Sequence, residues 1–205
     1  MNKMESDIMS INKDFVFITD STSDLPIEFY KENDITLVEL TYQLNGKEYN
    51  DVSGMPYKEL YKKLREGNIV KTSQITPDTF ETVFEDIVKQ DKGILYIAFS
   101  SGLSGTYNSA RIASENIAEK YPNARIRIVD SLCASLGEGL LVYKAVEMIN
   151  QGKSLDEIAD WVEENKLHLC HMFTVDDLMF LHRGGRVSKT SAIAGSILGI
   201  KPGLH

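Results

Sequence analysis

The chain has 205 residues, 42% hydrophobic and 9% aromatic, which is enough for an ordinary core and too apolar for a disordered chain. Thirty acidic against 22 basic residues leave a net charge of -8; that argues against nucleic acid as the main partner, because phosphate neutralisation needs a clustered basic surface. Two cysteines, Cys133 and Cys170, without a CxxC pair, exclude a disulfide scaffold and make a reducing cytoplasm the simplest home.

No apolar run approaches the ~20 residues needed to span a bilayer. Residues 1–14 (MNKMESDIMSINKD) lack the apolar core of a secretory signal and read as a loose tail. Residues 15–18 (FVFI) are the first predicted strand, ending in Thr19-Asp20-Ser21-Thr22-Ser23-Asp24, and Leu25-Pro26 opens a short helix. Asx and Ser turns use several such oxygens. A haloacid-type phosphohydrolase would carry an aspartate nucleophile here and a second aspartate two positions on. Position 22 is threonine, so that reading loses its general acid.

Residues 35–44 are rich in strand formers, and Asn45-Gly46 before Lys47-Glu48-Tyr49 signals a hairpin. Ser53 is predicted to cap a helix through Tyr57, Leu60, Tyr61 and Leu64, closed by Gly67. Its Lys58, Lys62, Lys63 and Arg65 are diluted by Glu59 and Glu66 into a solvated face. A short strand at 69–70 leads to Lys71-Thr72-Ser73-Gln74, a loop with two hydroxyls, and Thr76-Pro77 starts a helix burying Phe80, Val83, Phe84 and Ile87. Taken alone, turn chemistry and ligand contact explain Thr72 and Ser73 equally well.

The chain is organised around residues 93–110, GILYIAFSSGLSGTYNSA. An unbroken apolar run marks a strand buried on both faces. It feeds a tight loop of Ser100, Ser101, Gly102, Ser104, Gly105 and Thr106, then a helix with Tyr107, Ala110, Ile112, Ala113, Ile117 and Ala118 on its apolar face. Hydroxyls and unpaired backbone N–H groups gathered there suit a carboxylate or a phosphate. Ser104 also reads as the helix cap. Ser100 and Ser101 sit too early to cap and lie where open α/β sheets take their ligands, so the spacing favours binding.

Residues 126–129 form another strand, and its end, Asp130-Ser131, echoes Asp20-Ser21 as part of a shared sheet rim. A long helix is predicted over 137–150, and Ser154-Leu155-Asp156-Glu157 is a capping box for a helix with Ile158, Trp161 and Val162. This alternation predicts an α/β domain over 15–165, a Rossmann-like, largely parallel sheet flanked by helices. Residues 166–205 then begin a second, mixed α/β domain, with a strand at 168–175, a short helix at 176–181 and an apolar helix at 193–200. His168 and His171, three apart on a strand, face opposite sides. Nothing completes a metal set around them, and no metal or cofactor is expected. In Arg183-Gly184-Gly185-Arg186, two guanidinium groups around a double glycine can approach an anion or a partner closely, or else form a basic turn that ends the helix.

Together ITDSTSDLP, the Asn-Gly hairpin, KTSQ, SSGLSGTYNSA, IVDS, DLMFLHRGGRV and GIKP, in this order from Phe15 onward, resemble the DegV family. The resemblance implies a two-domain bacterial fatty-acid-binding protein with the acyl chain in an apolar tunnel between helices and sheet. In members that serve as the binding subunit of fatty acid kinase, the carboxylate is presented to a separate ATP-using subunit that makes an acyl-phosphate. Carried over by motif, Thr72 and one of Ser100 and Ser101 bond the carboxylate, within a ligand-binding set that includes Ser73, Gly102 and Ser104. Arg183 supports that network, and Arg186 faces the kinase partner. The family implies a carrier with no catalysis or cofactor of its own, no nucleic-acid partner and only peripheral or transient membrane contact. Ile75 and Gly203 depart from its usual proline and apolar residue. Members continue beyond the position of His205, adding a histidine that contacts the carboxylate, so the chain reads as a truncated member.

Two other classes compete. A regulatory interaction module would dock through the Arg183 to Arg186 turn without lipid. A serine hydrolase would need G-x-S-x-G, and Gly102-Leu103-Ser104-Gly105-Thr106 misses the last glycine.

Overall fold

A computed structural model of the chain describes residues 14–175 and 178–188. The strands in chain order are β1 (Phe15–Asp20), β2 (Ile35–Val38), β3 (Thr41–Leu44), β4 (Lys47–Asn50), β5 (Val70–Ser73), β6 (Gly93–Ala98) and β7 (Ile126–Asp130). The helices are α1 (Ile27–Glu32), α2 (Tyr57–Arg65), α3 (Pro77–Val88), α4 (Thr106–Lys120), α5 (Leu136–Asn150), α6 (Leu155–Asn165) and α7 (Leu178–Arg183).

A four-stranded parallel sheet of order β2-β1-β6-β7 forms the frame. Strand alternation sends Leu95 and Ile97 of β6 to one face, where they join Phe17 and the α5 and α6 residues Leu141, Val142, Ala145, Ile158 and Val162. Ile94, Tyr96 and Ala98 face the other side and meet Ile18, Phe80 and Phe84 with Ala110, Ala113 and Ile117 of α4. Two covered faces explain why the β6 sequence is apolar without interruption. α6 opens on the expected capping box, with Ser154 and Glu157 satisfying each other's backbone N–H groups.

A second, antiparallel sheet of order β4-β3-β5 was not separable from the first by pattern alone. The predicted single strand at 35–44 breaks at Glu39-Leu40. Ile35–Val38 pairs with β1, whereas Thr41–Leu44 pairs with the hairpin strand β4 and with β5. The break is held by side chains: Leu40 N–H donates to Ser21 Oγ at 3.0 Å, and the Glu39 carboxylate takes the N–H groups of Val52 and Ser53 at 2.9 and 2.8 Å. Ser53 is therefore not a helix cap; α2 begins after Pro56 with no side-chain cap. β5 extends to Ser73, so Thr72 and Ser73 close a strand and are not in a loop.

Residues 168–175 do not form the predicted strand. A 3-10 turn, Lys166–His168, is followed by irregular backbone with a single bridge residue at Phe173, and the His171 ring accepts the Ala134 N–H at 3.3 Å. α7 covers part of the predicted helix at 176–181, whose first two residues lie outside the described ones. The tail before Asp14, the helix expected at 193–200 and the GIKP segment also lie outside them. Among the described residues no helix is long and apolar enough to cross a membrane.

Candidate functional site

The carboxyl ends of β1, β6 and β7 make one rim, as the Asp20 and Asp130 echo suggests. The loop after β6 crosses it. Ser100 N–H donates to Cys133 O at 3.0 Å, and Ser131 N–H donates to Ala98 O at 3.1 Å, tying this loop to the one after β7. The expectation of unpaired N–H groups is corrected for Phe99 and Ser101, because the two strand-end aspartates turn inward and take their N–H groups. Asp20 Oδ2 accepts from Phe99 N–H at 2.9 Å, and Asp130 Oδ1 accepts from Ser101 N–H at 3.1 Å. Ser100 Oγ accepts from Gly102 N–H at 3.2 Å, and Ser104 Oγ accepts from Thr106 N–H at 3.2 Å while bonding the Thr106 hydroxyl.

These contacts sort the hydroxyls. Ser100 and Ser104 are buried and build the loop. Ser100 Oγ, accepting from Gly102 N–H, still holds its own O–H proton to donate. Ser101 is exposed, and its hydroxyl has no partner among the described residues; the same holds for Thr72. An incoming anion would thus meet neutral O–H donors at Ser101 and Thr72.

The KTSQ segment packs against this loop. Gln74 Nε2 donates to Ser109 Oγ at 3.0 Å, and Ile75 N–H donates to Thr106 Oγ1 at 3.3 Å. At Gly105 a Cβ would fall 2.0 Å from Gln74 Oε1, so a side chain there would displace the Gln74 amide from its place. Thr72 and Ser73 lead directly into that contact. The RGGR turn arrives from the other side: Arg186 Nε donates to Leu103 O at 3.0 Å. Arg186, expected to face a partner, is thus committed to the loop. Arg183 is exposed, with its guanidinium 5.3 Å over the Phe180 ring, and has no bond to the loop among the described contacts. The glycines end α7, with Gly184, Gly185 and Arg186 N–H groups capping Phe180, His182 and Leu181 carbonyls.

Tyr96 and Glu138 escaped the sequence reading as rim residues, and His171, weighed there only as half of a metal pair, joins them. Tyr96 O–H reaches across the core to Asp20 Oδ2 at 2.7 Å. His171 lies on the start of α5. Glu138 is fully buried and bonds Thr19 and Thr22 at 3.2 and 2.8 Å. Only Glu138 left a local signal: it falls three, four, seven and eleven positions before Leu141, Val142, Ala145 and Ile149, on the buried stripe of α5. Burial pushes the Asp20 carboxyl up despite its donors, and burial with the Asp20 charge pushes Glu138 up much further.

A surface cleft of about 560 Å³ lies beside the Asn45-Gly46 turn, lined by Gln43, Asn45, Glu66, Asn68, Ile69 and Lys71 among others, and none of the expected site residues borders it. Among the described residues no group of His, Cys, Asp and Glu side chains could hold a metal ion.

The chain is 53% identical over 195 residues to a DegV domain-containing protein of Clostridium perfringens, covering 94% of this chain and 67% of that one. A fatty-acid-binding DegV family protein of Thermus thermophilus superposes with a TM-score of 0.78 at 33% identity, covering 93% of this chain and 66% of that one. A stearic-acid-binding protein of Eubacterium ventriosum superposes with a TM-score of 0.79 at 28% identity, over 92% and 65%. The chain spans about two thirds of the length of these relatives. Residues 14–205 match the DegV family model, which takes in every motif of the rim, and the chain belongs to the DegV family.

Proposed function

We propose that this chain binds a long-chain fatty acid, with the carboxylate on the hydroxyls of Ser101, Thr72 and Ser100 at the rim. The observation that carries the reading is one carboxylate that ties Ser101, with its exposed hydroxyl, to the exposed apolar Leu132. Asp130 Oδ1 accepts from both Ser101 N–H and Leu132 N–H, each at 3.1 Å. Leu132 then begins an exposed row with Leu136, Leu140 and Tyr143, the last three on one face of α5. Such a row beside free hydroxyls suits an amphiphile, and we take it as the mouth of the apolar channel that receives the tail. Fatty-acid binding by the relatives from Thermus thermophilus and Eubacterium ventriosum supports the same ligand class.

Neutral alcohols suit a carboxylate that is held and then surrendered. Each buried methylene adds at most ~0.8 kcal/mol, so the tail dominates affinity and the hydroxyls set its register. The chain acts as a carrier without chemistry of its own, in a reducing cytoplasm where Cys133 and Cys170 stay unpaired. It presents the acid to an ATP-dependent kinase subunit. Arg183 over Phe180 is the basic group left outside the loop to meet that partner, while Arg186 holds Leu103. We divide the chain into an α/β domain over 15–165 and a second domain starting at 166.

The test is lipid extraction and mass spectrometry of protein purified from bacteria. Long-chain acids are expected in the wild-type chain and reduced retention in Ser101→Ala and Thr72→Ala. Lipid-free protein that also rejects added fatty acid overturns the reading.

A further inference from the structure

Two carboxylates lie in the interior with one hydroxyl between them. Asp20, at the end of β1, and Glu138, in the first turn of α5, are both fully buried. Thr22 Oγ1 is 2.6 Å from Asp20 Oδ1 and 2.8 Å from Glu138 Oε2. A threonine hydroxyl has one proton and can donate to only one of them. The other contact needs a proton from the carboxyl itself, or two oxygens face each other at hydrogen-bond distance with no proton between them.

The remaining bonds decide which carboxyl carries it. Asp20 receives four donors: Thr22 N–H and O–H on Oδ1, and Tyr96 O–H and Phe99 N–H on Oδ2. That set fills the lone-pair sites of an ionised carboxylate. Glu138 has no comparable set. Its other contact is the Thr19 hydroxyl, 3.2 Å from Oε1 and itself 3.1 Å from Ile97 O. We propose that Glu138 stands as the neutral acid, donating through Oε2 to Thr22 Oγ1, which donates in turn to Asp20, so that one interior proton ties α5 to the turn beneath the ligand loop.

The surroundings agree. The groups that interact electrostatically with the pair include Asp24, Asp51, Tyr30, Tyr96 and Cys133, and none of these is cationic. The imidazole of His171 packs on Gly137 and accepts the Ala134 N–H. Among the described residues neither carboxylate has an ion-pair partner, so a second negative charge would stand uncompensated. Gly139 brings the helix close enough for the relay, since a Cβ there would meet Ser23 O at 2.5 Å. The relay ends on Phe99 N–H, the residue before Ser100. Loss of the proton would leave Thr22 able to serve one carboxylate only and would loosen the anchor of that loop. The inference concerns how the rim is built and stands whether or not a lipid binds.

The test compares the full wild-type chain with Glu138→Gln, whose amide can donate to Thr22 and accept from Thr19 without a titrating proton. Infrared spectra at pH 7 are expected to show a protonated-carboxyl band in the wild type and none in Glu138→Gln. Denaturant unfolding from pH 6 to 9 is expected to show the wild-type unfolding constant rising up to about tenfold per pH unit, the slope of one extra proton held by the folded state, and Glu138→Gln lacking that slope. The proposal is overturned if the wild type shows no such band, if Glu138→Gln keeps both band and slope, or if Asp20→Asn removes them instead. Should Glu138→Gln fail to fold, the wild-type infrared titration decides: a band that persists at pH 7 and fades only at higher pH supports the proposal, and its absence at pH 7 overturns it.

Discussion

Ser101 and Ser104 lie three residues apart in one loop, yet their oxygens do different jobs. Ser104 is buried against Thr106, whose N–H and hydroxyl it satisfies, whereas Ser101 points its hydroxyl to solvent. Ser104→Ala should therefore cost about 1–3 kcal/mol of stability by stranding buried polar groups at the start of α4. Ser101→Ala should leave stability within about 0.5 kcal/mol of wild type, as exposed substitutions do, and act on ligand retention alone. Urea denaturation of the two variants separates these effects, and equal losses would contradict the division. The hydroxyl cluster itself was legible, because a Gly/Ser loop between a buried strand and a helix is a local pattern. Which hydroxyl is free was not, since that depends on Asp130 and Cys133, some thirty residues downstream. Glu138 was hidden for a further reason: a lone glutamate in a helix reads as solvated unless its partners are known, and Thr19 and Thr22 lie more than a hundred residues away.

At the scale of elements, local chemistry read well where one side chain closes its own turn. The Ser154-Glu157 box is complete, and Lys153 also reaches Glu157 at 2.8 Å. Ser53 is also a serine before a helical pattern, but Pro56 stands where a box would need glutamate, and among the described residues its hydroxyl accepts only from the exposed Asn50 amide at 3.1 Å. Ser154→Ala should cost about 1 kcal/mol, a typical capping loss, and Ser53→Ala close to nothing, as thermal or urea unfolding would register. Comparable losses at both positions would mean that Ser53 caps after all. The split of 35–44 shows the complementary limit. Strand propensity persists on both sides of Glu39-Leu40, and propensity does not record which sheet a strand joins. The decision rests on Ser21, which takes the Leu40 N–H that a continuous strand would have spent on a neighbour, and on the Glu39 carboxylate, which turns aside to the Val52 and Ser53 N–H groups.

At the scale of the molecule, pH acts through two populations of carboxylates with opposite signs. Glu157 is held down to about 2 by Lys153 and the Ser154 contacts. Its folded value lies below the unfolded one, so its contribution is present above the ordinary glutamate range and is lost as pH falls toward 2. Glu138 and Asp20 are displaced upward by burial. Their folded values exceed the unfolded ones, so the stability linked to them is complete below the ordinary carboxylate range and declines as pH rises through the raised values. The net charge of -8 adds a general repulsion that also grows with pH. These two alkaline effects differ in reach. Surface repulsion is screened by salt, whose Debye length falls to a few Å near 1 M, whereas the interior pair is shielded from ions by Tyr96, Ile97 and the first turn of α5. The thermal midpoint of the wild-type chain should therefore fall between pH 6 and pH 9, and salt should restore only part of that fall. In Glu138→Gln the part that salt cannot restore should be much smaller. If salt abolishes the wild-type slope altogether, surface charge accounts for all of it, and the interior carboxylates do not govern the alkaline limit of the fold.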